Sequence, residues 1–245
     1  MEKSGPNFFD DEVVFATYMQ HRQRVDTVND TLEKPVLMDL INPITDQRIL
    51  DLGCGNAAIG RELLQQGATS YIGIEGSHKM ATVARQTLAN TSGEIVCQRI
   101  EDWAYPPVAF DLVISRLALH YIADLASICT KVFDAITPTG KFIFSVEHPV
   151  ITSCDSGWTA GKLRQDWLVD NYFTTGLRVT NWLGGTVQKY HRTVEEYFYL
   201  LQKAGFIITD LREAHPQPEY FQDMETYQRR KRIPLFLILA AHKPG

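Results

Sequence analysis

The fold is decided by one stretch, Ile49-Leu50-Asp51-Leu52-Gly53-Cys54-Gly55-Asn56-Ala57-Ala58-Ile59-Gly60. A short apolar run ends in an acid and then passes through Gly-x-Gly into a helix-like segment, residues 57–66. This order predicts a buried strand, a tight turn and the start of a helix. Because Gly53 and Gly55 have no Cβ, their backbone can adopt positive φ and a ligand can approach it closely. Open α/β sheets bind ligands at this carboxyl end of the strands.

The charge of the stretch discriminates between cofactors. The spacing Gly53-x-Gly55-x-x-Ala58 also fits a loose dinucleotide fingerprint, which places a pyrophosphate on the helix N-terminus. Asp51 argues against a phosphate, because like charges about 4 Å apart repel by about 4 kcal/mol at an effective dielectric of roughly 20. S-adenosylmethionine (SAM) carries an ammonium and a sulfonium and no phosphate. A second acid, Glu75, ends the next apolar run, where a carboxylate can accept hydrogen bonds from both ribose hydroxyls.

These features resemble the class I SAM-dependent methyltransferases, in the small-molecule branch whose first motif reads D-L-G-C-G. Further matches follow over residues 35–147, namely Ile72-Gly73-Ile74-Glu75, Ser77 to Met80, Glu101-Asp102-Trp103 and Phe110-Asp111-Leu112-Val113-Ile114-Ser115. The resemblance implies an α/β, Rossmann-like fold with a seven-stranded, mostly parallel sheet, a last strand that is antiparallel, and helices on both faces. A Rossmann-like fold that binds another ligand is the alternative.

The chain alternates strands and helices at a spacing that favours a parallel sheet covered on both faces. Strands are predicted at residues 48–52, 71–75, 94–99, 111–115, 140–147, 206–211 and 233–241, and helices at 15–28, 36–41, 78–89, 124–136 and 194–204. We therefore expect a helical lid (1–34), a SAM-binding core (35–150), an aromatic-rich cap inserted after the fifth strand (151–193), and a segment that completes the core (194–245).

Composition limits the function classes. A length of 245 residues suits one large domain or a domain with a small cap, and a net charge of −5 gives no basic footprint for nucleic acid. The four cysteines show no C-x-x-C spacing, which indicates free thiols in a reducing compartment. Residues 1–12 do not resemble a signal peptide, and the longest apolar run, 235–241, is far below the ~20 residues of a membrane span. We expect a soluble, cytoplasmic protein without membrane or nucleic-acid partners and leave its oligomeric state open.

The resemblance also implies where the cofactor lies. Tyr18 and Arg22 of the lid would reach the methionine carboxylate, although an arginine exposed on a helix is an equal alternative. The adenine would lie against Met80, Ile100 and Trp103, and Glu101 or Asp102 would accept a hydrogen bond from its amine. The full set of predicted cofactor-binding residues is Tyr18, Arg22, Asp51, Gly53, Cys54, Gly55, Glu75, Gly76, Met80, Ile100, Glu101, Asp102, Trp103 and Ser115.

A long stretch before residue 194 interrupts the alternation and is rich in tryptophan, tyrosine and glycine. Loops of this length in compact domains are often lids or binding loops, so we interpret it as a substrate cap that excludes water. The predicted substrate-binding residues are His120, Tyr121, Trp158, Tyr172, Trp182 and Arg192. Two alternatives stay open: the aromatic residues can form the cap's own core, and Arg192 can pair with Glu195 or Glu196.

The chemistry requires an acceptor lone pair that faces the methyl group from the side opposite sulfur. No metal is required, and a base is required only if the acceptor loses a proton. The candidate catalytic residues are His120, Glu147 and His148, since an unperturbed histidine titrates near pH ~6.5. In strand geometry Glu147 and His148 point to opposite sides, so one of them is expected to face the site.

The sequence therefore predicts an enzyme that transfers a methyl group from SAM to an O, N or C atom of a small molecule, with S-adenosylhomocysteine (SAH) as the product. Three alternatives remain. One is methylation of RNA or protein, one is a reaction of SAM without methyl transfer such as cyclisation of its aminobutyl arm, and one is a non-enzymatic nucleotide-sensing module.

Overall fold

A computed structural model describes residues 3–22, 27–154, 157 and 166–245. The first elements are β1 (Lys3–Ser4), α1 (Gly5–Phe9), α2 (Glu12–Arg22), a π-helical turn (Asn29–Glu33) and α3 (Lys34–Ile41). They are followed by β2 (Arg48–Leu52), α4 (Ala58–Gln65), β3 (Ser70–Glu75), α5 (His78–Thr87) and β4 (Gly93–Cys97).

The central and last parts of the chain continue the alternation. Next come β5 (Phe110–Arg116), a 3-10 turn (Leu119–Tyr121), α6 (Leu125–Ala135), β6 (Ile136–Glu147) and α7 (Pro149–Thr152). The remaining elements are β7 (Gly176–Trp182), β8 (Gly185–His191), α8 (Val194–Ala204), β9 (Ile207–Arg212), a 3-10 turn (Pro218–Tyr220), α9 (Met224–Arg230) and β10 (Phe236–His242).

The large sheet has seven strands in the order β4-β3-β2-β5-β6-β10-β9. Neighbouring strands from β4 to β6 are parallel, whereas β10 is antiparallel to both β6 and β9. The predicted fold class, a mostly parallel sheet with an antiparallel last strand, is confirmed. The chain moves outward from β2 to β4 and then returns to β5 on the other side of β2. A crevice for a ligand opens at such a reversal, at the carboxyl ends of the strands.

The two faces of the sheet carry separate apolar cores. Successive side chains of a strand point to opposite faces, so Leu50 and Leu52 of β2 pack on one side with α6 and α8. Ile49 packs on the other side with residues of α3, α4 and α5. By the same alternation Asp51 points to the face of Ile49 and is buried there, which is unusual for a charged residue. This buried acid therefore requires a specific partner.

A second, small sheet covers the strand ends. β7 and β8 form an antiparallel hairpin, and β1 lies parallel beside β8. Phe8 of α1 stacks on Trp182 of β7 at a centroid distance of 5.7 Å and packs with Val14 and Val187. β1, α1 and the β7–β8 hairpin thus form one continuous roof.

Several element boundaries differ from the sequence-based expectation. The helix predicted at 15–28 spans Glu12–Arg22, because the Asp11 side chain accepts hydrogen bonds from the backbone N–H groups of Val13 and Val14 at its start. β6 begins directly after α6 and is longer than predicted. β10 begins two residues after Pro234, whose ring nitrogen cannot donate to a strand ladder. None of the helices in the described ranges is long and apolar enough to cross a membrane.

Gly60 sets the distance between α4 and the sheet. A Cβ at this position would lie 2.3 Å from Cζ of Tyr71, a fully buried ring on β3. Since the ring is enclosed in the core, it cannot move aside without cost. The absence of a side chain at Gly60 is therefore what lets Tyr71 stand between helix and sheet.

We predict that Gly60→Ala destabilises the protein by about 1–3 kcal/mol through overpacking. The sign is diagnostic, because glycine to alanine within a helix ordinarily stabilises by about 0.5–1 kcal/mol. The measurement is the free energy of unfolding in urea. Arg61→Ala, on the exposed side of the same helix, is the control and should change stability by no more than about 0.5 kcal/mol. A stabilised Gly60→Ala variant would contradict the close contact.

Candidate active site

A cavity of about 350 Å³ lies at the carboxyl ends of the parallel strands, beneath the roof. Its floor consists of the turn after β2, the end of β3, the segment after β5 and the end of β6. Phe9 and Tyr18 of the N-terminal segment and Trp182 of β7 line it on the side of the roof. The cavity therefore coincides with the crevice that the strand order creates.

Asp51 lies at the centre of the floor with an incompletely satisfied carboxylate. Its Oδ2 accepts a hydrogen bond from the Tyr71 hydroxyl at 2.6 Å, whereas Oδ1 is buried and has no partner in the described part of the chain. Burial raises the pKa of Asp51 to about 6, although the Tyr71 hydrogen bond and the charge of Arg116 oppose the rise. A buried carboxylate oxygen without a donor suits a ligand that brings a positively charged N–H group.

Glu75, at the end of β3, holds the turn after β2 in place. Its Oε2 accepts from the Gly55 backbone N–H at 2.9 Å and its Oε1 from the Ser77 N–H at 2.8 Å. Each oxygen keeps a further lone pair, so the carboxylate can accept two more hydrogen bonds from neighbouring hydroxyls. Burial raises its pKa to about 7. Asp51 and Glu75 thus both line one cavity from adjacent strands.

The glycines of the turn are required by its shape. Gly53 and Gly55 have φ of +77° and +59°, and the N–H groups of Gly53 and Cys54 donate to the Ile74 carbonyl. A Cβ at Gly53 would lie 2.4 Å from Cβ of Ala118. The turn therefore wraps tightly around the end of β3 and presents its backbone to the cavity.

Two arginines line the same end of the cavity. Arg116, at the end of β5, forms a bidentate ion pair with the buried Glu33. Burial lowers the pKa of Arg116, but the charge and hydrogen bonds of Glu33, together with the charges of Asp51 and Asp30, raise it by more, so the guanidinium stays charged. Arg22 lies 3.3 Å from the Thr27 hydroxyl. The sequence analysis missed Arg116, although a charged residue at the carboxyl end of an apolar strand was a signal for it.

The predicted cofactor residues divide into two groups. The cavity lining includes Tyr18, Arg22, Asp51, Gly53, Cys54, Gly55, Glu75, Gly76, Met80, Ile100 and Glu101. Asp102, Trp103 and Ser115 lie outside it, because Asp102 is exposed beside Arg99, Trp103 packs against Tyr105 at 4.8 Å, and the Ser115 hydroxyl donates to the Leu52 carbonyl at 2.7 Å.

The predicted acceptor-side residues also divide. His120, Tyr121, Glu147 and Trp182 line the cavity. Trp158 lies outside the described residues.

Three of these predicted residues contact other parts of the structure. His148 points away from the cavity, where its Nδ1 accepts from the Val150 N–H and its Nε2 lies 3.2 Å from Glu213. The Tyr172 hydroxyl accepts from the N–H of Val194. Arg192 donates to the carbonyls of residues 122 and 123 at 2.7 Å and lies 3.8 Å from Glu196, so the helix pairing given as its alternative is present.

The hydrogen bond at His120 indicates which of its ring nitrogens carries the hydrogen, which bears on its predicted role as a base. The backbone N–H of Glu147 donates to Nδ1 of His120 at 3.4 Å, so the hydrogen of the neutral ring resides on Nε2. Burial lowers the pKa of His120 to about 4, and the ring is therefore neutral near pH 7. In this state it is a hydrogen-bond donor toward the cavity.

The sequence analysis also missed two polar residues that complete the site. Lys189 of β8 donates to Oε1 of Glu147 at 2.6 Å. Asp10 accepts hydrogen bonds from the Ser77 hydroxyl at 2.7 Å and from the Lys79 N–H at 3.1 Å, which fastens the N-terminal segment to the start of α5. Within the ranges that the structure describes, no group of three or more His, Cys, Asp or Glu side chains is placed to bind a metal.

Comparison with known proteins places this geometry in context. Residues 50–144 match the family described as "Methyltransferase domain". The crystal structure of an S-adenosylmethionine dependent methyltransferase from Mesorhizobium loti is 31% identical and superposes with a TM-score of 0.81, covering 90% of this chain and 100% of that chain. The crystal structure of a protein from Listeria monocytogenes that is assigned to the same family is 37% identical with a TM-score of 0.81, covering 87% and 97%. An uncharacterised protein of Haemophilus influenzae is 29% identical over 96% of both chains.

The raised pKa of Asp51 predicts a specific pH dependence. Below the pKa of about 4 in the unfolded chain, both states hold the proton, and Asp51 costs nothing. As pH rises, the unfolded chain releases the proton first, so the free energy of unfolding falls until pH passes the folded pKa of about 6. Asp51→Asn removes this loss, and its stability advantage over the wild type should grow by about 1–2 kcal/mol between about pH 4.5 and 7.5. Urea unfolding at both pH values measures it.

Asp111→Asn is the matched control. The hydrogen bond from Arg48 lowers the pKa of Asp111, so its charged form is stabilised in the folded protein and the variant should be less stable than the wild type at both pH values. If Asp51→Asn were also less stable than the wild type at neutral pH, the conclusion that the buried charge of Asp51 destabilises the folded protein would be wrong.

Proposed function

The chain belongs to the SAM-dependent methyltransferases, and from this premise we propose that it transfers the methyl group of SAM to a small molecule inside the closed cavity. The accepting atom is O, N or C. SAM, when bound, supplies an electrophilic methyl carbon on a sulfonium. The residues of the chain bind and orient the reactants and exclude water.

The observation that carries the proposal is the pair of buried carboxylates, Asp51 and Glu75, on adjacent strand ends. The donor-free Oδ1 of Asp51 fits the ammonium of the methionine arm, and the two remaining lone pairs of Glu75 fit the two ribose hydroxyls. Arg22 and Arg116 line the cavity as well, and each guanidinium, although paired with Asp30 or Glu33, has further N–H groups for the arm's carboxylate. The apolar side chains of Met80 and Ile100 leave a place for the adenine.

The roof favours a small molecule as the methyl acceptor. Asp10 fastens the N-terminal segment to α5, and Phe8 stacks on Trp182 of the hairpin, so the two covering segments are joined above the cavity. Enclosed cavities with aromatic walls and a few polar groups are typical of small-molecule sites. A net charge of −5 also does not favour a polyanionic substrate.

The role of the protein in the reaction is positioning. In-line displacement needs the acceptor atom at near-attack distance and aligned with the carbon–sulfur bond, and such alignment can supply about 7–11 kcal/mol of the barrier. The closed roof keeps water away from the reacting atoms. The rigid floor contributes because the turn after β2 is held by Glu75 and by the Ile74 carbonyl.

We predict that Asp51→Asn weakens the binding of the amino acid half of the cofactor and leaves the binding of its nucleoside half unchanged. The variant should bind SAH about tenfold or more weakly, because a charge-assisted hydrogen bond to the ammonium is lost. Methylthioadenosine has the adenine and ribose but lacks the amino acid, so its affinity should change by no more than about twofold. Glu75→Gln should weaken both ligands. Isothermal titration calorimetry measures all affinities.

Asp111→Asn, which alters a carboxylate outside the cavity, is the control and should leave both affinities unchanged. The proposed binding mode would be refuted if Asp51→Asn weakened both ligands equally, since that pattern indicates a general disturbance of the turn. Absence of SAM and SAH binding to the wild type would refute the proposed function itself.

A further inference from the structure

The part of the cavity lined by His120, Tyr121, Glu147 and Trp182, called here the acceptor end, contains a carboxylate with a hydrogen-bond donor on only one of its two oxygens. Glu147, the last residue of β6, lines the cavity, and its Oε1 accepts from Lys189 at 2.6 Å. Its Oε2 has no hydrogen-bond donor among the residues described. Lys189 is fixed in turn, because its Nζ lies over the rings of Trp182 at 5.4 Å and Tyr121 at 6.0 Å.

The charges at this end cancel. Burial raises the pKa of Glu147, but the interactions with Lys189 and His120 together lower it by more, so the net shift is downward and the group is an anion near pH 7. Lys189 supplies one compensating positive charge, and its side chain is only 8% exposed. His120 is neutral. Arg192 lies behind the wall, where it binds two backbone carbonyls and pairs with Glu196.

His120 adds a donor next to this acceptor. Its Nδ1 lone pair is used by the Glu147 backbone N–H, so Nε2–H is the group available for a ligand. No acceptor for it is present in the described ranges. Glu147 Oε2 and His120 Nε2–H thus form an unused acceptor and an unused donor in the lining of one cavity.

We propose that the methyl acceptor is a neutral molecule that donates an O–H or N–H to Glu147, accepts a hydrogen bond from His120, and gives its proton to Glu147. This inference rests on the proposed function and specifies its substrate class. A cationic acceptor is disfavoured because Lys189 already occupies the faces of Trp182 and Tyr121 and neutralises Glu147. An anionic acceptor atom is disfavoured because it has no hydrogen to donate to Oε2 of Glu147 and gains no net attraction from the neutral Lys189–Glu147 pair.

The proton transfer is chemically balanced. As the acceptor atom bonds to the methyl carbon, the electrons of the carbon–sulfur bond pass to sulfur and the acceptor atom gains positive charge. Its remaining hydrogen becomes strongly acidic, so even a weakly basic carboxylate removes it. Glu147 receives the proton on Oε2, while Lys189 holds the side chain through Oε1. Glu147 is the catalytic residue in this account, and Lys189 is a positioning residue.

The test uses full-length protein saturated with SAH and four small aromatic probes: 4-methylphenol, 4-methylanisole, benzylammonium and benzoate. Ligand-observed NMR gives their dissociation constants. 4-Methylphenol should bind about tenfold tighter than 4-methylanisole, which has the same ring but no O–H to donate. Both ionic probes should bind more weakly than 4-methylphenol. These comparisons need no altered protein.

Variants then show which side chains cause the preference for the phenol. Glu147→Gln should reduce the preference for the phenol to less than about threefold. Lys189→Met leaves Glu147 unpaired, so benzylammonium binding should strengthen by about tenfold. Glu213→Gln, which alters the carboxylate beside His148 outside the cavity, should change none of the probe affinities. SAH affinity should be the same in every variant, which reports that the cofactor end is intact.

Equal binding of phenol and anisole to the wild-type complex would overturn the inference. So would an undiminished phenol preference in Glu147→Gln, or unchanged ammonium binding in Lys189→Met. These failures are distinct from failure of the proposed function, because SAH binding to the wild type would persist in each of them.

Discussion

The structure depends on one constraint, the burial of two carboxylates at neighbouring strand ends. Asp51 is held by the Tyr71 hydroxyl, and Glu75 is held by two backbone N–H groups, yet burial raises the pKa of both. Within the part of the chain that the structure describes, no cation forms an ion pair with either carboxylate, so the free protein bears a cost that a cationic ligand relieves. The two buried charges thus lower the stability of the free protein and at the same time provide affinity for a cationic ligand.

The surrounding packing follows from this constraint. Gly60 leaves room for the Tyr71 ring between α4 and the sheet, and that ring carries the hydroxyl that orients Asp51. Gly53 and Gly55 let the backbone bend around the end of β3 and meet Glu75. A helix, a strand and a turn are therefore coupled to the geometry of two side chains. The roof completes the site, because Asp10 binds Ser77 at the start of α5 and Phe8 stacks on Trp182 of β7.

The sequence predicted the sheet, and it predicted that Asp51 and Glu75 lie at the ends of neighbouring strands, because both features follow from short-range patterns. An apolar run that ends in an acid and is followed by glycines fixes a strand, its carboxyl end and a turn within a dozen residues. Lys189 and Asp10 were not predicted as site residues, since only tertiary packing brings Lys189 against Glu147 and Asp10 against Ser77. The direction of side chains after a strand was equally beyond sequence reasoning: Pro149 redirects the chain, so that His148 caps α7 while Glu147 faces the cavity.

The most direct test of the central claim is a crystal structure of the SAH complex. The account predicts that the amino group of SAH lies within hydrogen-bond distance of Oδ1 of Asp51 and that the two ribose hydroxyls contact the two oxygens of Glu75. A nucleoside that lies elsewhere, or whose amino group and ribose make no contact with these two carboxylates, would contradict it.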